Sequence, residues 1–349
     1  MSDLVLYRRY RPAKWSEVIG QDHIVAVLEG AIKQGNIAHA YLFCGSRGTG
    51  KTSVARILAQ AVGTTPNDLY EIDGASSRGI NEIRELREGV RSLPFESKYK
   101  VYIIDEVHML TPEAFNALLK TLEEPPAHVI FILATTELDK LPETIVSRCQ
   151  HFTFKKPTVE ILKKMVERTA KKESLTIDSA SANLIALLGD GSFRDTLGIL
   201  QKVISISVDK VISAEEIEAI TGIPKEQYVF DLIIALLHRK TDLALTVISK
   251  VVEEGKDVKF FLKLVMSDLR LAMLLRFAPE MKMSLKEEAG EDKFARLEEL
   301  SRHEQAGFLP AILKELLAIY DQVSRAYAPH LPLELAIIRI VQMISSGGK

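Results

Sequence analysis

A chain of 349 residues, 47% hydrophobic and 26% charged, has an ordinary globular mix and the length for two or three domains. Its formal net charge of −2 excludes a chain-wide nucleic-acid footprint, which would carry a clear basic excess, and leaves room only for local basic patches. The two distant cysteines, Cys44 and Cys149, make no disulfide framework and point to a reducing compartment. The opening MSDLVLYRRYRP lacks the apolar core of a signal peptide, and no apolar run approaches a membrane span, so a cytoplasmic protein with no membrane partner is expected.

In chain order, three blocks are predicted. In the first, residues 1–157, the strand-like runs AYLFCG, DLYEID, KVYIIDEV and HVIFILATT alternate with helical patterns. That alternation predicts a parallel α/β sheet with helices on both faces, a doubly wound arrangement. In the second, 158–222, VEILKKMVERTAKK and SASANLIALLG carry apolar residues at helical spacing, and helices near Ser192 and Ser213 open on plausible caps. The third, 223–349, is helical throughout. QYVFDLIIALLH, DLALTVISKVVEEG and DVKFFLKLVMSDLRLAMLLRF suggest an antiparallel bundle. No internal repeat is found, and the closing SSGGK reads as a tail.

The first strand runs into Gly45-Ser46-Arg47-Gly48-Thr49-Gly50-Lys51-Thr52, the pattern G-x-x-x-x-G-K-[ST]. Its glycines let backbone N–H groups turn inward to cradle phosphate oxygens, and the following helix presents its positive end to the same anion. Lys51 is placed to reach the β and γ phosphates of ATP, and Thr52 to hold Mg²⁺. In VYIIDEVH, Asp105 at the strand end is a second candidate magnesium ligand, and Glu106 would polarise the attacking water. An acid pair alone is a weak signal; behind a P-loop at this distance it is a strong one. His108 completes D-E-x-H, a helicase-like string, although an ordinary helix-start or polar contact residue explains it as well. The strand VIFILATTE ends in Thr135 and Thr136, where polar residues face the ligand crevice of open α/β sheets. Thr136 is the candidate contact to the γ phosphate or the water; hydroxyls satisfying local backbone are the alternative.

GSRGTGKT, IIDEVHMLTPEAFNALLKTLEEPP, LATTELDKLPETIVSRC and GDGSFRDTLGIL occur in this order. Together they resemble the bacterial clamp-loader ATPases of DNA polymerase III, the gamma/tau branch of the AAA+ family, and YRRYRPAKWSEVIGQDHI looks like that family's opening. The match covers residues 4–222 closely and the rest only as a helical domain. The resemblance implies an AAA+ nucleotide-binding domain, a small helical lid and a helical collar that joins subunits in a pentamer. It implies that Arg148, in Ser147-Arg148-Cys149, is an arginine finger entering a neighbour's ATP site, with a plain surface ion pair as the alternative. Arg194 would contact the γ phosphate within its own subunit, and Tyr10, Arg11, Val18 and Ile19 would line the adenine pocket. The implied activity is ATP hydrolysis coupled to opening a sliding clamp and loading it on primed DNA. Partners would be other loader subunits, the clamp and primer-template DNA.

The resemblance further implies that the helix start at Ser76, Ser77 and Arg78 and the loop around Lys140 follow the DNA backbone, and a plain capped helix is the alternative at the former. The helix after Thr111 and Pro112, closed by Pro125-Pro126, is implied to meet the clamp, against a plain-core reading of Phe115, Leu118 and Leu119. One departure is clear. The family's four-cysteine zinc module would lie where this chain has only AVGTTPNDLY, and neither cysteine has partners at ligand spacing, so no zinc site is expected. The chain also stops after the collar-like block, as a gamma-like or truncated chain would. Competing readings are an archaeal-type clamp-loader small subunit and an AAA+ helicase or branch-migration motor. A third is a non-catalytic scaffold, which the intact Lys51 and Thr52 argue against.

Overall fold

The computed structural model describes residues 5–76, 86, 88–207 and 210–346. It divides into two compact units, residues 1–162 with 189–198, and residues 163–188 with 199–349.

The first unit is built on five parallel strands: β1 (Ala40–Cys44), β2 (Leu69–Asp73), β3 (Lys100–Asp105), β4 (Val129–Thr135) and β5 (Gln150–Thr153). Their order across the sheet is β2-β3-β4-β1-β5. The first four coincide with the predicted runs. β1, β3 and β4 are buried along their length, as expected for central strands covered on both faces. β5 was not foreseen: it is four residues long and mostly exposed, with Phe152 alone turned inward, so it carries no hydrophobic run to read.

Period-two alternation splits the core between the two faces. Leu42, Tyr102, Ile104, Phe131 and Leu133 face Phe115, Leu118 and Leu122 of the Pro112–Glu123 helix. Tyr41, Phe43, Val101, Ile103 and Ile132 face Ile24 and Leu28 on one helix and Val54 and Leu58 on the Lys51–Ala61 helix. Each such side chain contributes roughly 1.5–3 kcal/mol when removed from water, so the two clusters hold the strand ends in fixed register. Parallel pairing sets Asp73 opposite Asp105 and Cys44 opposite Thr135, so the polar strand ends lie along one edge.

Among the described residues the second unit is built of helices and one two-residue ladder, Thr176–Ile177 with Val211–Ile212, too short to be legible in sequence. Helices Val159–Lys172, Ser179–Leu188, Glu226–Leu237, Thr241–Glu253 and Val258–Phe277 match the predicted runs. Ser213 closes a full capping box with Glu216. Asp268 and Lys293 form a buried ion pair at 2.6 Å between two helices of this unit. Among the described residues no helix is long and apolar enough to cross a membrane.

Candidate nucleotide site

The loop after β1 owes its path to glycine. Gly45 has φ +148° and Gly48 φ +74°, values that L side chains rarely adopt. A Cβ on Gly45 would stand 2.6 Å from the Phe154 carbonyl oxygen, and one on Gly48 would stand 1.9 Å from Ser192 Oγ. The Gly48 carbonyl accepts the Phe193 N–H at 2.9 Å. Ser192 Oγ accepts the Asp195 N–H at 3.1 Å, which caps the Phe193–Ile204 helix as its sequence predicts. The loop therefore lies against the helix start that carries Arg194. Ser46 and Arg47 are exposed at the loop tip, while Thr49 is buried and donates its hydroxyl to the Ser46 carbonyl at 2.9 Å.

Gly50, in a left-handed conformation, precedes the Lys51–Ala61 helix. Lys51 is buried and donates Nζ to the carbonyls of Gly45 at 2.7 Å and Ser46 at 3.0 Å. Burial pushes its ammonium below the usual range, and the Glu106 and Asp105 carboxylates oppose that shift. The next residue, Thr52, donates its hydroxyl to Asp105 Oδ2 at 2.7 Å. A hydroxyl and a carboxylate side by side are hard oxygen donors, the kind magnesium takes together with water, so the pair fits that ion.

Glu106 leaves β3 in the left-handed region, φ 47° and ψ 46°, an uncommon backbone for a non-glycine residue. Its N–H donates to Asp105 Oδ1 at 3.0 Å. Its Oε2 accepts both the N–H and the hydroxyl of Thr136, at 3.2 and 2.9 Å. The carboxylate read as polarising water and the threonine read as a phosphate or water contact are thus bonded to each other across β3 and β4. His108 is 5% exposed and lies 3.4 Å from Glu106 Oε2 and 3.3 Å from Glu137 Oε1. These are the contacts of a polar contact residue, and Glu137 was not singled out by sequence at all.

Tyr10 ends the first short helix, its N–H on the Leu6 carbonyl at 2.9 Å. Arg11 is partly buried. Burial lowers its basicity, Arg56 adds to the effect, and Glu71 and Asp105 oppose it. Val18 packs against the core cluster, and Ile19 is exposed. The guanidinium of Arg194 lies over the ring of Tyr7 at 5.0 Å, which brings the chain's opening to the Phe193–Ile204 helix. Sequence reading missed Gln21. It is buried, donates to the Lys155 carbonyl at 2.7 Å and accepts the Lys155 N–H at 3.1 Å, fastening the segment after Ile19 to the exit of β5. Nothing local distinguishes Gln21 from a surface glutamine; its partner is 134 residues away.

Arg148 is not gathered with these groups. It donates Nη2 to Glu123 Oε1 at 2.7 Å and Nη1 to the Thr144 carbonyl at 2.8 Å. Of the residues assigned to DNA, Lys140 is exposed and pairs with Glu137 at 2.9 Å. Ser76 hydrogen bonds Asp73, and Ser77 and Arg78 lie outside the described residues. Thr111 caps the Pro112–Glu123 helix as predicted, but Phe115 and Leu118 are buried core and present nothing to a partner, while Leu119 packs partly buried beside them.

Burial pushes the Cys149 thiol up to about 11 and the Cys44 thiol also upward. Sequence spacing gave Cys44 no histidine neighbour, yet the β1–β5 pairing sets His151 Nε2 2.9 Å from its sulfur. Among the described residues no group of three or more His, Cys, Asp or Glu could hold a metal ion.

Comparison with known proteins bears on the whole chain. The family described as "DNA polymerase III, delta subunit" matches residues 20–75 and 63–158, and "DNA polymerase III subunits gamma and tau domain III" matches 212–346. The DNA polymerase III subunit tau of Bacillus subtilis is 38% identical over 98% of this chain and 64% of its own length. The gamma/tau subunit of Mycoplasma pneumoniae is 45% identical over 61% of this chain and 34% of its own. The chain thus spans less than two thirds of the length of these relatives. Among solved structures, the RuvB Holliday junction branch migration motor of Thermotoga maritima aligns with a TM-score of 0.53 at 20% identity, covering 86% of this chain and 91% of that one. At that identity the likeness shows the fold alone.

Proposed function

Because the chain belongs to the gamma/tau family of DNA polymerase III subunits, we propose that it is an ATPase subunit of a DNA clamp loader, using ATP to open a sliding clamp and place it on primed DNA. One observation carries the reading. The pocket side of a phosphoryl-transfer site (Lys51, the Thr52–Asp105 pair, Glu106 with Thr136) sits in one chain and lacks Arg148, which is held on Glu123, a residue outside that set. A site short of one positive charge makes hydrolysis depend on a neighbour.

In this reading Lys51 exchanges the Gly45 and Ser46 carbonyls for phosphate oxygens, and the Gly45–Gly50 loop offers its N–H groups to the same anion. Thr52 and Asp105 would hold magnesium, which would supply positive charge to offset that on the phosphates. Glu106 orients the water, and Thr136 fixes Glu106. Arg194 reaches the γ phosphate of its own chain, and Arg148 that of the adjacent subunit, where an arginine finger stabilises charge in the transition state. Tyr10, Arg11, Val18 and Ile19 border the base. Residues 1–157, 158–222 and 223–349 serve as nucleotide domain, lid and collar, the last joining subunits into a pentamer. Lys140 and the segment from Ser76 to Arg78 follow the DNA backbone, which needs few charges per subunit and so suits a net charge of −2.

The test is ATP turnover by the assembled protein with primed DNA and clamp. Stimulation by both together supports a loader. Processive strand separation with no response to the clamp overturns it in favour of a motor.

A further inference from the structure

The guanidinium of Arg194 lies over the ring of Tyr7 at 5.0 Å, and none of the steps assigned to ATP hydrolysis uses that ring. Arg8 lies over the same ring at a greater distance, 6.0 Å. Both ends of the Tyr7–Arg194 contact are anchored. Leu6, beside Tyr7, is buried, and its carbonyl accepts the Tyr10 N–H at 2.9 Å. Arg194 follows Phe193, whose N–H donates to the Gly48 carbonyl at 2.9 Å. The backbone that carries Arg194 is therefore fastened to the phosphate loop, and its side chain to the Leu6–Arg9 helix. That side chain sits in an unfavourable field. It belongs to the first turn of the Phe193–Ile204 helix, whose N-terminal end is positive. Its charge is also among those that lower the basicity of Arg11, after burial and Arg56. The face of an aromatic ring carries negative charge density and offsets part of this cost.

We propose that Tyr7 is a positioning residue that holds the Arg194 guanidinium ready for the terminal phosphate of ATP, so that preference for a triphosphate over a diphosphate depends on the Leu6–Arg9 helix. The proposal deepens the reading given under Proposed function and rests on its assignment of Arg194. A stacked guanidinium is held by its face, while its N–H groups point outward in its own plane. Stacking therefore fixes the side chain without using the donors that a phosphate needs. An arginine loose in solvent must give up rotamer freedom when the phosphate arrives. One already stacked has given it up beforehand, and the difference appears as affinity. The negative charge of a γ phosphate also relieves the repulsion between Arg194, Arg11 and the helix end. ADP lacks that phosphate and gains nothing from Arg194. If Tyr7 only packed the opening of the chain, its loss would disturb Tyr10 and Arg11 beside it and weaken ATP and ADP alike.

The experiment measures the affinities of the full chain for ATPγS and for ADP, each with magnesium, by displacement of a fluorescent nucleotide. Tyr7→Leu is expected to weaken ATPγS by about two- to fivefold, the worth of an exposed cation–π contact, and to leave ADP unchanged. Tyr7→Phe keeps the ring and should retain most of the preference for ATPγS. Arg194→Ala should lose at least as much of that preference as Tyr7→Leu does, and adding Tyr7→Leu to it should change nothing further, because the two residues act as one unit. Should Tyr7→Leu fail to fold, Tyr7→Gln takes its place with the same expectation, since it leaves a polar side chain at a partly exposed position. The positioning role is overturned if Tyr7→Leu keeps the unmodified ratio of the two affinities, or if both affinities fall together. It is equally overturned if Tyr7→Phe is as impaired as Tyr7→Leu, or if the effect of Tyr7→Leu persists in full beside Arg194→Ala. Those results leave the assignment of Arg194 standing. An Arg194→Ala protein with an unchanged ratio refutes that assignment itself and the role of Tyr7 with it.

Discussion

Replacing Arg148 by alanine separates a finger from an ion pair, because the two roles carry different magnitudes. In the fold, Arg148 gives up an exposed contact to Glu123 at 2.7 Å, with side chains 34% and 49% exposed, and one hydrogen bond to the Thr144 carbonyl. Exposed pairs of this kind are worth up to about 1 kcal/mol, so the melting temperature should move by no more than about 4 °C. As a finger, the same side chain supplies a factor of about 10³ or more in turnover, roughly 4 kcal/mol of transition-state stabilisation. The Arg148→Ala chain should still bind ATP, since Lys51, Thr52, Asp105 and Arg194 are untouched. The decisive assay is mixing. A Lys51→Ala chain cannot hydrolyse ATP but retains its finger; an Arg148→Ala chain retains its pocket but has no finger to give. Each alone should be inactive, and the mixture should regain activity where finger and pocket meet, with assembly verified by sizing. An assembled mixture that stays inactive, or an Arg148→Ala protein with normal turnover, refutes the trans role and leaves Arg148 as a partner of Glu123.

Glu106→Gln should retain ATP binding and stall hydrolysis in single-turnover measurements, because an amide cannot polarise water as a carboxylate does; unchanged turnover would place the base elsewhere. Gly48→Ala should weaken nucleotide binding measured by titration calorimetry, because φ +74° costs an L residue about 1–2 kcal/mol and the new methyl meets Ser192 Oγ at 1.9 Å; wild-type affinity would mean the loop is softer than this packing implies. Asp68 is buried and accepts backbone N–H groups from Phe95, Glu96 and Ser97 at 2.6, 3.0 and 2.8 Å, so Asp68→Ala should cost about 3 kcal/mol in urea unfolding. Burial alone would raise that carboxyl, but the backbone donors bring it from 3.8 down to about 2. A depressed carboxyl stabilises fully above its unfolded value, so this contribution should persist above pH 3.8 and vanish as pH falls through 2. An Asp68→Ala protein with the same stability difference at pH 2 as at pH 7 would contradict it.

Where the physics is local, the sequence was sufficient. The P-loop was legible because an apolar strand, glycines at fixed spacing and a good helix former must be contiguous for the backbone to cradle an anion. The Thr111, Ser192 and Ser213 caps were legible because a cap and the N–H it serves lie three residues apart. The central strands β1, β3 and β4 announced themselves because burial on both faces leaves long apolar runs. What depends on neighbours from elsewhere in the chain was not legible. β5 exists because it can pair with β1, not because QHFT favours a strand. Gln21 matters only once the sheet brings Lys155 to it, and His151 meets Cys44 only through the same pairing. Phe115 and Leu118 show the apolar pattern of a docking face and of a core alike, and packing against the sheet decided for the core. His108 and Glu137 lie 29 positions apart, on separate strand exits, and the β3–β4 pairing is what sets those exits side by side. Hydrogen bonds within a turn are written in the order of residues. Those between strand ends appear only when apolar burial has fixed the order and register of the strands.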